Sequence, residues 1–160
     1  PNEVEGNLHA TFTVEAALAL HRAGKEWIIE NSKPTGRYPN IWDLEVFSKL
    51  QAEAGCRVIA MDMCMWGKAP PDSGEPGQPR APDEDLRYKK GSWWMVSKGL
   101  YLYALLLARK CDSQHKHVSL SGPMPGTSIP RTRESQVWTE PLCQGWAKVI
   151  SAAFHGWTSS

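Results

Sequence analysis

The stretch Glu26-Trp27-Ile28-Ile29-Glu30-Asn31, with its partner Arg57-Val58-Ile59-Ala60-Met61-Asp62, decides the fold of this chain. The first is a short apolar run rich in strand formers and reads as a buried strand over 26–30. The second reads as another. Between them, residues 32–40 carry two Pro and one Gly, so they form a loop. Asp43 stands where a helix N-cap belongs, and Val46, Phe47 and Leu50 keep helical spacing up to Gly55. Strand, helix and strand within about 35 residues form a βαβ unit, which predicts an α/β fold with a parallel sheet.

Working outward, Leu8, Phe12, Ala16 and Leu20 recur every four residues as one helical stripe, and Gly24 is a stop. Downstream, Ala69 to Pro82 holds five Pro and two Gly, which excludes a regular element and predicts an exposed loop. Gly91 to Val96 reads as a third strand. Ser97 caps a helix through Leu100, Ala104 and Leu107, and His117 to Leu120 is a short fourth strand. Residues 123–130 are loop. Thr139 and Pro141 begin a last helix with Leu142, Trp146, Val149 and Ala153 on one face. The chain is expected to be one domain over 1–160.

Composition narrows the class. The 160 residues carry 18 Lys+Arg and 17 Asp+Glu, a net charge of +1, with 41% hydrophobic residues. That excludes a disordered polyelectrolyte and gives no global attraction to nucleic acid. Four Cys do not make a disulfide scaffold, so an intracellular protein with reduced thiols is expected. The acidic start, Pro1-Asn2-Glu3-Val4-Glu5, does not resemble a secretory signal, and a first residue other than Met is what a trimmed piece shows. The longest apolar run, Leu100 to Ala108, falls far short of the ~20 residues of a membrane span.

Four residues stand out for chemistry. Cys111, His115 and His117 lie within seven residues, and Cys64 follows a predicted strand. Two thiolates neutralise Zn²⁺ and two imidazoles complete the shell without adding charge, so the set suits a closed, structural zinc site. The bland alternative is two small buried thiols and two surface imidazoles. Cys56 and Cys143 read as core. Arg87, Lys89 and Lys90 precede Trp93-Trp94, and Arg131 and Arg133 follow in a loop. Cations position phosphates and aromatics stack on unpaired bases, so these are the candidate nucleic-acid residues. The alternative is a solvated loop beside a core strand. No nucleotide-binding glycine motif, G-x-S-x-G elbow or H-E-x-x-H is present.

Glu30-Asn31 ends the first strand, and carboxyl ends of strands border the crevice in α/β sheets. Trp27-Ile28-Ile29-Glu30-Asn31, the next helix, then Gly55-Cys56-Arg57-Val58-Ile59-Ala60-Met61-Asp62 and Gly67, resemble the Glu-Asn strand and the following strand and glycine turn of cytosine-5 DNA methyltransferases. A closer resemblance is to methyltransferase-like segments of algal and dinoflagellate retroelement proteins. It runs through Glu30-Asn31, Asn40-Ile41-Trp42, Cys64-Met65-Trp66-Gly67, Lys89-Lys90-Gly91-Ser92, Cys111 with His115-Lys116-His117, Gly122, and Thr139-Glu140-Pro141-Leu142-Cys143.

The resemblance implies a Rossmann-like, mostly parallel sheet flanked by helices, present as a partial domain. It casts Glu30 and Asn31 as catalytic, the Glu contacting a flipped cytosine. The departures are Ser32 where the family has Pro after Glu-Asn, Lys90-Gly91-Ser92 for Lys-Pro-Thr, and Glu140-Pro141 for Tyr-Pro. The family's cofactor glycine loop and Pro-Cys catalytic loop precede Glu-Asn, and neither occurs in residues 1–26. S-adenosylmethionine is therefore expected only if a missing half is supplied.

Two readings follow. One is a methyltransferase-like domain inactive alone, with Glu30 opening on a crevice. The other is a non-catalytic, zinc-stabilised structural or interaction subunit of a larger assembly, with a closed four-ligand site and an exposed apolar patch. A protein partner is expected, and nucleic acid only weakly. Of the eight Trp, Trp27, Trp93 and Trp146 are expected to pack, and Trp42 and Trp66 to stand near Glu30 and Cys64. Trp94, Trp138 and Trp157 are left for a partner surface.

Overall fold

In the computed structural model, which describes residues 3–36, 40–67, 85–124 and 126–158, the strand Gly91–Val96 (β4) runs through the middle of the molecule. It is hydrogen-bonded antiparallel to Ile28–Ser32 (β1) on one side and to Arg57–Asp62 (β2) on the other. Glu30 and Ile59 stand opposite Trp94, and Ser32 and Met61 opposite Ser92. Because β4 is covered on both faces, its sequence is an apolar run, Trp93-Trp94-Met95-Val96, rather than an alternation.

Successive side chains point to opposite faces of the sheet and feed two apolar clusters. Trp94, Val96, Ile59 and Met61 pack with Leu100 and Ala104 of helix Lys98–Ala104 (α3). Leu142, Trp146, Val149 and Ala153 of helix Glu140–Thr158 (α5) complete that side. Ile29 and Met95, on the other face, meet Ala10, Val14 and Ala17 of helix Glu3–Arg22 (α1). They also meet Phe47, Leu50 and Ala54 of helix Glu45–Ala54 (α2). The result is a mixed α/β architecture with helices on both faces of one sheet.

The expectation of a Rossmann-like, mostly parallel sheet is corrected. β1 and β2 do run parallel to one another, as a helical crossover requires, but β4 lies between them and both pair with it antiparallel. The βαβ spacing records the direction of two strands, not whether a third enters between them. Among the described residues the one parallel ladder joins Leu86–Tyr88 (β3) to Lys116–Val118 (β5). Three-residue strands are too short to show a period, which is why β3 has no signature in the sequence.

Several local readings also change. Asn40, not Asp43, caps the first turn: its side chain accepts a hydrogen bond from Trp42 N at 2.9 Å. Asp43 ends the 3-10 turn Ile41–Asp43 and α2 begins at Glu45 without a side-chain cap. Gly55 does end α2, at φ +61°. Ser97 precedes α3 but donates its hydroxyl to the Glu26 carboxylate and accepts from Trp27 N at 3.2 Å. It therefore ties the end of β4 to the approach to β1 rather than capping a helix.

The stripe of α1 turns outward. Leu8 is 66% and Phe12 69% exposed, while the small residues Ala10, Val14 and Ala17 face the core and let the helix lie close to the sheet. Cys143 is exposed and Cys56 buried. Trp94 is fully buried, 5.0 Å from the Trp146 ring and 4.9 Å from that of half-exposed Trp138. It is core and not partner surface; the side chain of Trp157 and the 69–82 segment lie outside the described residues. No helix among the described residues is long and apolar enough to cross a membrane.

Candidate metal centre

The chain places its four candidate ligands on three different segments. Cys64 sits in the 3-10 turn Met63–Met65 that leaves β2, Cys111 and His115 in the connection after α3, and His117 on β5. Folding brings them together. Cys111 Sγ lies 3.6 Å from His115 Nε2 and 3.5 Å from His117 Nε2, and the two imidazole nitrogens are 3.1 Å apart. With Cys64 Sγ, all four donor atoms fall within 4.8 Å of one another. The set can hold a metal ion.

The surrounding polar groups hold these donors in place. Asp62, the last residue of β2, accepts a hydrogen bond from Cys111 N at 2.8 Å through Oδ2. The turn that follows is tight: Ser113 takes φ +61°, its N–H points to Cys111 Sγ at 3.3 Å, and Gln114 N donates to Asp112 Oδ1 at 3.0 Å. Asp112 Oδ1 also stands 3.3 Å from His115 Nδ1, leaving Nε2 free to face the centre. A carboxylate behind a ligating imidazole fixes its tautomer and ring orientation. On the Cys64 side, Arg87 Nη1 donates to the Cys64 carbonyl at 2.7 Å while Nε and Nη2 grip the Asp85 carboxylate at 2.9 and 2.8 Å.

Burial acts on the two kinds of donor in different ways. Burial pushes the Cys64 thiol up to about 12, and the hydrogen bond with Cys111 adds to the rise. Burial also pushes His117 down, helped by His115 and Lys89. A low imidazole pKa keeps the ring neutral and able to ligate. A divalent cation reverses the thiol shift, because it holds a coordinated sulfur as thiolate.

Beside the centre opens a cavity of about 640 Å³ lined in part by Lys33, Lys89, Lys90, Asp62 and His117. Lys33 was not singled out by sequence, since it lies in a Pro/Gly loop remote from the other two. The five basic residues do not form one patch. Lys89 faces the cavity, and Lys90 Nζ donates to the Ser135 carbonyl at 3.2 Å. Arg87 braces Cys64, and Arg131, at 3% exposure, donates to the Ser119 carbonyl at 3.3 Å from helix Arg131–Glu134 (α4). Arg133 is exposed on α4.

Glu30 and Asn31 take opposite faces of β1. Glu30 Oε1 accepts a hydrogen bond from the buried Ser92 hydroxyl at 2.7 Å, and Asn31 Oδ1 accepts from Ser32 N at 2.6 Å. Neither belongs to the Cys/His cluster. Trp66 is buried close behind Cys64 and Trp42 packs on Phe47 at 5.2 Å. Comparison with protein-family models, curated proteins and solved structures finds no match to this chain.

Proposed function

We propose that this chain is a zinc-stabilised α/β module of a larger assembly, methyltransferase-like in origin and without methyl transfer of its own. The observation that carries the reading is the spacing of the donor atoms. Tetrahedral zinc with Zn–S of about 2.3 Å and Zn–N of about 2.05 Å sets sulfur and nitrogen about 3.6 Å apart and two nitrogens about 3.3 Å apart. Among Cys111, His115 and His117 the separations are 3.6, 3.5 and 3.1 Å, and Cys64 Sγ lies within 4.8 Å of all three. Four protein ligands leave no open position, so the metal's role is structural and not catalytic. It ties β2, the connection after α3, and β5 into one knot. Exposed Leu8 and Phe12 on α1, and Leu102 on α3, are the apolar surface such a module turns toward a partner.

The test is metal content. Purified chain is expected to carry about one zinc, and Cys111→Ala to lose it. Cobalt substitution is expected to give the strong visible bands of a tetrahedral thiolate site. A metal-free protein that binds no zinc would sink the proposal.

A second reading, a piece of a cytosine-5 methyltransferase needing its other half, is favoured by one observation: Glu30 lies on a strand, β1, that α2 links to β2, which runs the same way on the far side of β4. In that reading Glu30 contacts a flipped base, Asn31 stands beside it on the other face of β1, and S-adenosylmethionine is held by the other half. Calorimetric titration of the chain with an oligonucleotide carrying an unpaired cytosine separates the two: binding that is lost in Glu30→Gln would favour the second reading, and no binding the first.

A further inference from the structure

Helix α3, with the 3-10 turn Leu105–Leu107 that continues it, faces α5 across a second cavity, of about 460 Å³. This is the size that encloses a small organic ligand. Its floor is apolar: Trp66, Leu107 and Val149 are each at least 95% buried. Leu106, 77% exposed, forms one wall. Across from it, α5 presents Gly145 and Ala152. A Cβ at Gly145 would stand 2.9 Å from Leu107 Cδ2 and 3.2 Å from the Trp66 ring, so the glycine lets α5 approach the floor closely.

Among the described residues the charged side chains that line this cavity have one sign. Arg109 and Lys148 line it, and among the described residues no carboxylate does. The Arg109 guanidinium lies 4.3 Å over the Trp66 ring, a cation–π contact that holds it at the rim beside the apolar floor. Glu140, the residue before Pro141 of the lining, is engaged by Gln144, whose Nε2 donates to its carboxylate at 2.9 Å. An apolar floor with two cations at its edge complements a molecule with an apolar body and an anionic head.

We propose that the cavity between α3 and α5 binds a small amphipathic anion, an aliphatic carboxylate whose chain lies on Trp66, Leu107 and Val149 and whose head meets Arg109 and Lys148. The two cations select the head group; the floor supplies the affinity by burying the chain. A cationic amphiphile is repelled.

Decanoate is the probe, titrated into the full chain by calorimetry, with backbone amide shifts in α5 locating it. Saturable binding below about 1 mM is expected, with decanol, the same chain without the charge, bound about tenfold more weakly. Arg109→Gln with Lys148→Gln is expected to weaken decanoate about tenfold and leave decanol unchanged. Ala152→Trp, which fills the cavity from an exposed position, is expected to abolish both at unchanged far-ultraviolet circular dichroism. If Ala152→Trp fails to fold, the charge variant decides alone. Equal binding of decanol and decanoate, no decanoate binding by about 1 mM, or binding only of an acidic amphipathic peptide, overturns the proposal.

Discussion

The three-stranded sheet and the two-stranded β3–β5 ribbon are held together by different physics. In the sheet, β4 buries Ser92, Trp94, Met95 and Val96 to 1% exposure or less, and helices cover both faces. Burial is non-directional and collective, so this region has many partners for every side chain. The ribbon has two strands of three residues, of which Leu86 and Val118 are buried. A two-stranded pair of that length is not stable alone in water. What fastens it are directional contacts: His117 in the Cys/His cluster, and Arg87 reaching the Cys64 carbonyl. The contrast teaches that one small protein can divide its stability between an apolar core and a polar knot, each with its own failure mode.

Substitutions should separate the two regions. The largest effect belongs to the core: Trp94→Ala removes a fully buried indole and is expected to cost about 3–5 kcal/mol, read as a cooperative loss in urea melts with or without zinc. Chelation or Cys111→Ala comes next. Amide exchange is expected to accelerate at residues 86–88 and 116–118 while β4 stays protected; acceleration of both together would mean that the regions are not separate.

Asp112→Asn leaves every ligand in place but weakens the support behind His115 Nδ1. Zinc affinity is expected to fall about 10–100-fold in a competition titration with a chromophoric chelator, with the melt otherwise unchanged. The smallest effect is Cys56, whose thiol is raised from its ordinary 9.0 to about 11 by burial in the core. A raised thiol pKa contributes stability that is complete below about 9 and is lost as pH rises through about 11, because the unfolded chain ionises first. Zinc-loaded Cys56→Ala is therefore expected to lose stability less steeply between about pH 9 and 11 than the unaltered chain.

Helices and strands with strong patterns are legible in the sequence for a physical reason: burial of one face imprints a period. β2 and β4 fall at the predicted residues, and Leu142, Trp146, Val149 and Ala153 line the buried face of α5 as spaced. The same reasoning misjudges α1, because it has two apolar lines. The line with the larger side chains, Leu8 and Phe12, is the one left outside. The four residues of the Cys/His group were legible by type, since thiol and imidazole are the donors a soft cation prefers. Asp62, Arg87 and Asp112 were not legible as their supports. Asp and Arg occur throughout the chain, and only distance marks them.

What the sequence by itself determined is local: where the chain extends, where it coils, which side chains are apolar, and where its thiols and imidazoles stand. These follow from steric preference and from the period of burial, which act between residues close in the chain. The tertiary structure alone decided that β4 enters between β1 and β2 and makes the main sheet antiparallel. It alone brought Cys64 to Cys111, His115 and His117, and set Arg109 over Trp66 at the edge of a cavity. Those outcomes depend on contacts between residues far apart in sequence, whose loop-closure cost and packing are shared by the whole fold and are written in no single segment.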